Sequence, residues 1–131
     1  MTTAAEVRYW QTLTFRDAEA MMVWLGRVGF TEHATHRNQS DPSVVEHAEW
    51  LWPGGGGNLF GSQREGSVGS AAPGTATAYL ITDTPDDVFD AAVAAGATVV
   101  RAMADEDYGG RGGVVRDPEG NHWSFGSYQP R

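Results

Sequence analysis

The sequence predicts an α+β fold of two tandem βαβββ modules that together enclose one cleft. Apolar and polar residues alternate in short runs typical of strands, and two longer stretches carry apolar residues at helical spacing. Glycines stand where the strands and helices end. Features of the first half recur in the second at nearly constant offsets of 65 to 67 residues. The recurring pairs are Asp17 and Asp83, Gly29 and Gly96, Pro53 and Pro118, and Phe60 and Phe125.

A single domain is predicted over residues 1–131, with repeat halves at 7–62 and 75–128. A stretch rich in Gly, Ser and Ala at 63–74 is predicted to link the halves. Each half supplies one sheet with a helix on one face, so pairing the two open faces encloses a cleft.

The first half is predicted to contain one helix and four strands. Residues 7–15 are rich in β-branched and aromatic types and form the first strand. Acidic residues begin the helix at Asp17, its apolar residues recur every three or four positions, and Gly29 ends it. The remaining strands are predicted at 30–37, 44–52 and 58–62, with a glycine turn at 53–57.

The second half repeats this order. Thr84 is predicted to cap a helix that begins with Pro85 and two acids and ends before Gly96. Strands are predicted at 75–82, 97–104, 110–116 and 121–128, with a turn at 117–120.

Composition excludes several classes of function. The 131 residues carry 17 acids against 9 arginines, a formal net charge of −8, and they include no lysine and no cysteine. Without clustered cations a nucleic-acid partner is not expected, and without thiols neither thiolate catalysis nor a zinc finger is possible. No apolar stretch approaches the roughly 20 residues that span a bilayer, so we expect a cytoplasmic protein with no membrane partner.

Strand alternation predicts which side chains face the cleft. The side chains expected under the helices are Leu13, Phe15, Tyr79, Ile81, Trp123 and Phe125. Those expected to face the cleft are Trp10, Thr12, Thr14, His47, Glu49, Leu51, Ala76, Ala78, Leu80, His122 and Ser124. The cleft is therefore expected to combine aromatic, hydroxyl, imidazole and carboxylate groups.

Several short motifs are spread over nearly the whole chain. They are Phe15-Arg-Asp-Ala, His47-Ala-Glu, Asp83-Thr-Pro-Asp-Asp, Asp107-Tyr-Gly-Gly-Arg, Arg116-Asp-Pro-Glu-Gly-Asn and Trp123-Ser-Phe-Gly. Together they resemble the vicinal oxygen chelate superfamily, which holds glyoxalase I, extradiol dioxygenases, and bleomycin and fosfomycin resistance proteins. The match is closest to its small single-module glyoxalase-like members. The resemblance implies a glyoxalase-like half-barrel cleft, a small-molecule ligand, and a homodimer in which two subunits build two clefts.

The resemblance also allows the metal ligands to be checked. Metal-dependent members of the superfamily bind their ion through His, Gln and Glu on three strands, and the matching positions here are Trp10, Ala76 and Ser124. None of these is a usual ligand for Zn, Fe or Mn. We therefore expect no cofactor and disfavour a divalent metal.

His47 and Glu49 are the candidate catalytic residues, since an imidazole and a carboxylate on one strand face can share a proton or an ion. With His122 they form the alternative of a displaced metal triad. In a third interpretation His47 and Glu49 hydrogen-bond across strands, where they orient a ligand or stabilise the sheet, and His122 sits at a turn.

The candidate ligand-binding residues are Trp10, Thr12, Trp52, Tyr108, Arg111, Arg116, His122 and Ser124. Aromatic rings near strand ends stack on planar ligands, although core packing is their commoner role. The two arginines either grip an anionic ligand or pair with Asp or Glu. Gly112 and Gly113 leave two side chains missing in mid-strand, which predicts a wider cleft beside Tyr108.

Two functions are compatible with these residues. The preferred one is a small-molecule-binding protein that holds a bulky or aromatic metabolite or antibiotic in a dimer cleft, without the usual metal. The alternative is an enzyme of the same fold, a lyase, isomerase or cyclase, that uses His47 and Glu49 with or without a divalent metal. A purely structural dimerisation module would bind no ligand at all.

Overall fold

The computed structural model describes residues 3–65 and 71–131. A short 3-10 helix at Ala4–Glu6 precedes the first strand. The strands and helices that follow are β1 (Trp10–Phe15), α1 (Ala18–Val28), β2 (Thr31–Arg37), β3 (Val45–Leu51), β4 (Gly57–Ser62), β5 (Thr77–Ile81), α2 (Pro85–Ala94), β6 (Thr98–Asp105), β7 (Arg111–Arg116) and β8 (His122–Gly126). Residues 66–70 of the predicted linker lie outside the described residues.

The strands form two four-stranded sheets, which confirms the predicted α+β fold of two βαβββ modules. The first module, β1 to β4 with α1, has the strand order β1-β4-β3-β2, and the second, β5 to β8 with α2, has the order β5-β8-β7-β6. In each sheet the first strand pairs in parallel with the last, and the other pairs are antiparallel. The edge strands β1 and β5 approach each other, since Gln11 Nε2 donates to Thr77 O at 3.2 Å.

Local chemistry explains where the helices begin and end. Asp17 precedes α1, and its Oδ1 accepts a hydrogen bond from Ala20 N at 3.1 Å. Gly29 follows α1 with a φ of 131°, a conformation that other residues rarely adopt. Thr84 precedes α2 and Pro85 begins it, but the Thr84 hydroxyl makes no capping bond, so the prediction is wrong in that detail. With 11 and 10 residues, neither α-helix of the described chain is long enough to cross a membrane.

The core lies between the sheets and the helices and joins the two modules. Trp24 of α1 donates from Nε1 to Ala92 O of α2 at 3.1 Å, and its ring lies 5.7 Å from that of Trp123 on β8. Both indoles are almost fully buried. Leu13 and Phe15 are buried in the same cluster, as predicted. The modules therefore share one apolar layer, and the opposite sheet faces carry mostly exposed or half-buried side chains.

The predicted faces of β5 are wrong. Ala78 and Leu80, expected to face the cleft, lie on the core side of the strand, although both also line the cavity between the modules. Tyr79 and Ile81, expected in the core, lie on the other face, where Tyr79 is 44% exposed and Ile81 is half-buried. The parallel register places Ala78 beside Trp123, whose large side chain fills the core at that level.

The faces of β5 are exchanged because Asp83 is not the true counterpart of Asp17. The residue that directly precedes α1 is Asp17, whereas the residue that directly precedes α2 is Thr84. Counting back from Asp83 therefore places β5 one residue out of register, and a shift of one residue exchanges the two faces of a strand.

Candidate functional site

A cavity of about 1160 Å³ lies between the two modules, where the edges of β1 and β5 approach each other. Its walls are formed by these two strands and by the turn at 53–57 that joins β3 to β4. Phe30 and Trp52 contribute buried aromatic side chains to the lining. Trp10 and Thr12 of β1 also line it, so the structure brings together three of the predicted ligand-binding residues.

Trp10 covers part of the wall because Gly57 leaves room for its ring. A Cβ added at Gly57 would stand 2.4 Å from Cζ3 of Trp10 and 2.9 Å from the carbonyl oxygen of Trp50. Carbon atoms in contact normally lie about 3.5–4.0 Å apart, so the indole lies against the strand only because this residue is glycine. The ring is half-buried and lines the cavity.

Trp52 connects the two modules at the cavity. Its Nε1 donates to Ile81 O of β5 at 3.0 Å, and its ring lies 4.9 Å from that of Phe30. The side chain is only 9% exposed. Hydrogen bonding and packing together hold this indole in place, which gives the cavity a fixed aromatic side.

Asn58 of β4 also lines the cavity and is not among the predicted ligand-binding residues. The residue is 3% exposed, and its Nδ2 has no hydrogen-bond partner among the described residues. The repeat offers the signal that could have found it: Asn58 corresponds to the buried Trp123, so a polar residue stands where the other module has an apolar one.

The cavity is poor in charge. Of the described residues that line it, none is Lys, Arg or His, and Asp83 is the one carboxylate. The pKa of the Tyr79 phenol is raised, chiefly because the group is withdrawn from water. This hydroxyl donates to Tyr128 O at 2.7 Å. An anionic ligand would therefore find no cationic side chain in the described lining.

His47 and Glu49 lie together on the open face of β3, as predicted from their spacing. Nε2 of His47 lies 2.8 Å from Oε2 of Glu49, and Nε2 of His33 lies 3.8 Å from Oε1. His36 stacks on His47 with ring centroids 6.1 Å apart. The hydrogen bond from His47 is the main reason that the pKa of Glu49 lies below its ordinary value. Neither His47 nor Glu49 lines the cavity.

Two candidate residues of the second module have partners outside the cavity. Arg111 forms a two-pronged ion pair with Asp86, at 2.8 and 3.0 Å, and contacts Asp105 at 3.3 Å. This pairing lowers the pKa of the Asp86 carboxyl and raises that of the guanidinium. Tyr108 is 64% exposed and packs edge-on against Tyr128, with ring centroids 4.9 Å apart.

The remaining candidates lie on β7 and β8, also outside the cavity lining. Arg116 stands opposite His122 across the strand pair, and both residues are exposed. Ser124 is half-buried and stands beside Tyr79 in the parallel register. The structure therefore separates these three residues from the tryptophans that line the cavity.

The predicted widening of the cleft at Gly112 and Gly113 is wrong, because neighbouring side chains fill the space. A Cβ at Gly113 would stand 2.6 Å from Sδ of Met103 and 3.1 Å from Cε2 of Phe89. A Cβ at Gly112 would stand 3.2 Å from Oε1 of Glu106. The two glycines thus allow close packing in mid-strand rather than an open cavity.

The positions that match the superfamily's metal ligands do not fit an ion. Ala76 packs against the core, and in the corrected register Thr77, not Ala76, corresponds to Trp10. An indole and two hydroxyl groups, those of Thr77 and Ser124, are not a ligand set for Zn, Fe or Mn. In the described part of the chain, no group of three or more His, Asp or Glu side chains is placed to hold a metal ion. The triad of His47, Glu49 and His122 is accordingly not formed.

Comparison with known proteins agrees with this architecture. The family model of the glyoxalase-like domain matches residues 2–125. The chain therefore belongs to the glyoxalase-like domain family, and its resemblance to the vicinal oxygen chelate superfamily is confirmed.

Solved structures with the same fold cover most of the chain. TioX from Micromonospora sp. ML1 is 26% identical, with a TM-score of 0.74 over 93% of this chain and 98% of that one. A bleomycin resistance determinant encoded on the transposon Tn5 is 15% identical, with a TM-score of 0.63 over 94% of this chain and 98% of that one. A glyoxalase/bleomycin resistance protein from Streptomyces sp. CB03234 is 18% identical, with a TM-score of 0.65 over 88% of this chain and 96% of that one. The last two are similar in fold alone.

Curated relatives match a shorter segment. The uncharacterized proteins Mb0911c of Mycobacterium bovis and Rv0887c of Mycobacterium tuberculosis are each 50% identical over 50 residues, which is 38% of this chain. The segment spans 33% of the first protein and 29% of the second, about a third of their length.

Proposed function

We propose that this chain is a small-molecule-binding protein of the glyoxalase/bleomycin-resistance type, which holds a bulky or aromatic metabolite or antibiotic without the superfamily's usual metal. One observation carries the proposal: the cavity of about 1160 Å³ at the junction of the modules has Trp10 and Trp52 in its lining. Ligand pockets of roughly 300–1,000 Å³ enclose drug-sized compounds, so this volume accommodates several fused rings.

The residues that line the cavity are better suited to ligand binding than to catalysis. Indole faces stack on planar ligands, and an aromatic pair contributes about 0.5–1.5 kcal/mol beyond the burial of its surface. Gln11 and Thr12 add polar groups that orient a ligand. Of the described lining residues, Asp83 alone carries a side chain that is charged at neutral pH. The described lining therefore holds no His, Lys or Glu for proton transfer, and Asp83 is its one ionised group.

Tryptophan fluorescence tests the proposal with 9-fluorenone, a neutral and planar three-ring compound. We expect saturable quenching at one compound per chain, with the compound recovered unchanged by chromatography. Trp10→Ala should weaken binding about tenfold, because it removes one stacking surface. Tyr108→Ala is the matched control, since it removes an exposed aromatic ring outside the cavity. Equal effects of the two variants, or no saturable quenching, would contradict binding in this cavity.

The proposal includes a homodimer, as the resemblance implies. Val99 and Val100 on β6 are 47% and 49% exposed, and a second copy would cover this apolar surface. Light scattering should give twice the chain mass of 14.1 kDa. Val100→Asp should shift the mass toward one chain, whereas Val23→Asp, at a 57% exposed position of α1, should leave it unchanged. A wild-type mass of one chain would rule the dimer out.

The hydrogen bond of 2.8 Å between His47 and Glu49 favours a second candidate function. In this alternative the chain is a lyase, isomerase or cyclase in which the pair moves a proton on a substrate bound at the open face of β3. Small-molecule extract of the host, incubated with the protein, would then yield a new compound by mass spectrometry, and Glu49→Gln would abolish it. An extract that is unchanged by the wild-type protein argues for binding alone.

A further inference from the structure

We propose that the cavity selects planar aromatic compounds that carry a positive charge, and that the Asp83 carboxylate binds this charge. The inference rests on the proposed function, because it concerns the same cavity, and it names the class of ligand. Asp83 lines the cavity and is exposed, so its carboxylate is accessible to a ligand there. Among the described lining residues it carries the one charged side chain.

The turn between β7 and β8 closes the junction of the two modules on one side. It places Glu119 at the beginning of α1, where Oε1 accepts from Arg16 N at 2.6 Å and Oε2 accepts from Asp17 N at 2.7 Å. The Arg16 guanidinium donates to Glu119 O at 3.2 Å and lies 3.9 Å from the Glu119 carboxylate. The Glu119 side chain is only 8% exposed. Two side chains of opposite charge therefore fill this junction between a turn and a helix.

The internal repeat places Asp83 and Gly54 at the corresponding positions of the other junction. Asp83 corresponds to Arg16, because each stands two residues before the first residue of its helix. Gly54 corresponds to Glu119, at the offset of 65 residues that relates the two turns. Asp83 and Gly54 both line the cavity. At this junction the turn carries no side chain, and a carboxylate stands where the other junction has a guanidinium.

The cavity therefore contains both open space and a carboxylate without a partner. A Cβ added at any residue of 54–56 would meet no atom within 4 Å. Thr82 and Thr84 bond to each other, since Thr84 N donates to Thr82 Oγ1 at 3.1 Å. The Asp83 carboxylate between them forms no hydrogen bond or ion pair within the described part of the chain. A positively charged ligand supplies the partner that Asp83 lacks there.

The aromatic residues of the lining favour the same charge. The faces of indole rings attract cations, and the half-buried Trp10 and the fixed Trp52 both line the cavity. Trp52 Nε1 donates to Ile81 O, which lies two residues before Asp83 in the chain. The formal net charge of −8 attracts cations during approach and repels anions. A planar cation therefore gains from the rings and from the carboxylate, whereas a neutral compound gains from the rings alone.

Three compounds with one ring system test the inference. They are 10-methylacridinium, a cation; acridine, which is neutral at slightly alkaline pH; and acridine-9-carboxylate, an anion. Equilibrium dialysis at physiological salt, which screens the net charge of the chain, measures each affinity. The wild-type protein should bind 10-methylacridinium at least about fivefold more tightly than acridine, through one partly exposed ion pair and the attraction of the indoles. It should bind the carboxylate more weakly than acridine.

Variants of single carboxylates locate the origin of this preference. Asp83→Asn should bind 10-methylacridinium about threefold more weakly and acridine with unchanged affinity, because it removes the charge and keeps the size of the side chain. Asp90→Asn is the matched control, since it removes one charge at an exposed position of α2 outside the cavity lining. The control should keep the wild-type preference. Equal effects of the two variants would overturn the role of Asp83.

Thermal unfolding supplies a second readout that needs no ligand. Asp83→Ala should melt close to the wild-type temperature, because the carboxylate has no partner in the described chain. Glu119→Ala removes the corresponding contacts of the closed junction, so it should melt at a clearly lower temperature. An equal loss in both variants would show that Asp83 stabilises the fold, and it would overturn the inference.

The outcomes separate the inference from the proposed function. Equal wild-type affinities for 10-methylacridinium and acridine, each weakened by Trp10→Ala, would overturn the cationic class and keep a binding cavity. A preference for the cation that is undiminished in Asp83→Asn would overturn the role of Asp83. Tighter binding of the carboxylate than of acridine would overturn the cationic class as well. No saturable binding of any compound would overturn both proposals.

Discussion

Replacing Gly57 by alanine is expected to lower both the stability of the fold and the affinity of the cavity. The added Cβ would stand 2.4 and 2.7 Å from two ring carbons of Trp10 and 2.9 Å from the carbonyl oxygen of Trp50. Against a normal contact of about 3.5 Å, the ring must retreat by roughly 1 Å. The carbonyl belongs to β3 and moves only if the pairing of β3 with β4 is disturbed. Overpacking of this kind costs about 1–3 kcal/mol.

Urea unfolding of a double-mutant cycle measures the two contacts separately. In a Trp10→Ala background the ring is absent and only the contact with the Trp50 carbonyl remains. Gly57→Ala should then cost about 1 kcal/mol less than it does in the wild-type protein, within the usual range for residues in contact. Fluorenone affinity should fall in Gly57→Ala as well, because the displaced indole enters the space that the ligand would occupy.

Gly55→Ala provides the control for backbone conformation. Gly55 has a φ of 134° and no atom within 4 Å of an added Cβ, whereas Gly57 is not among the residues with positive φ. Alanine at Gly55 should therefore destabilise through backbone strain alone, by an amount that does not depend on Trp10. An equal cost of Gly57→Ala with and without the Trp10 ring would refute the idea that Gly57 accommodates the indole.

Three further substitutions test other parts of the structure. Gly113→Val should lower the free energy of unfolding by about 1–3 kcal/mol, because Met103 and Phe89 fill the space. An unchanged free energy in urea unfolding would instead support the open cleft predicted from the sequence. Asp117→Ala should lower the free energy of unfolding by about 2–5 kcal/mol, since three buried donors lose their acceptor. A loss below about 1 kcal/mol would contradict this. His47→Ala should raise the pKa of Glu49 toward its ordinary value of 4.5 in an NMR titration. Because the pKa of Glu49 is lower in the folded chain, the stability it contributes is present above pH 4.5 and is lost as pH falls through the folded value. An unchanged pKa in the variant would show that His47 is not the cause.

The order of strands and helices could be predicted because local chemistry decides it. Gly29 and Gly96, with φ of 131° and 124°, end the two helices at positions where other residues would be strained. Alternation in β1 placed Leu13 and Phe15 in the core, where they lie. The face of β5 could not be predicted in this way. The segment between β5 and α2 is one residue longer, relative to Asp83, than the segment between β1 and α1 is relative to Asp17.

The candidate site was harder to predict because it depends on how the modules meet. Alternation placed Trp10 on the open face, and the ring does line the cavity. The pairing of Arg111 with Asp86 joins residues 25 positions apart, on β7 and at the start of α2, which only the folded chain brings together. Asn58 has a different signal: only its correspondence to Trp123 in the repeat indicates that it is buried, and its unpaired Nδ2 is a property of the packed interior.

The two modules differ at the end of the sheet where β3 turns into β4 and β7 turns into β8. In the second module, Asp117 accepts from Trp123 at 2.8 Å and from Asn121 at 2.9 Å, and this buried network closes the end of the sheet. In the first module, Trp52 replaces the acceptor and bonds across to β5, while Asn58 stays unpaired beside the cavity. The first module therefore has no carboxylate at this level, and the indole that stands in its place lines the cavity.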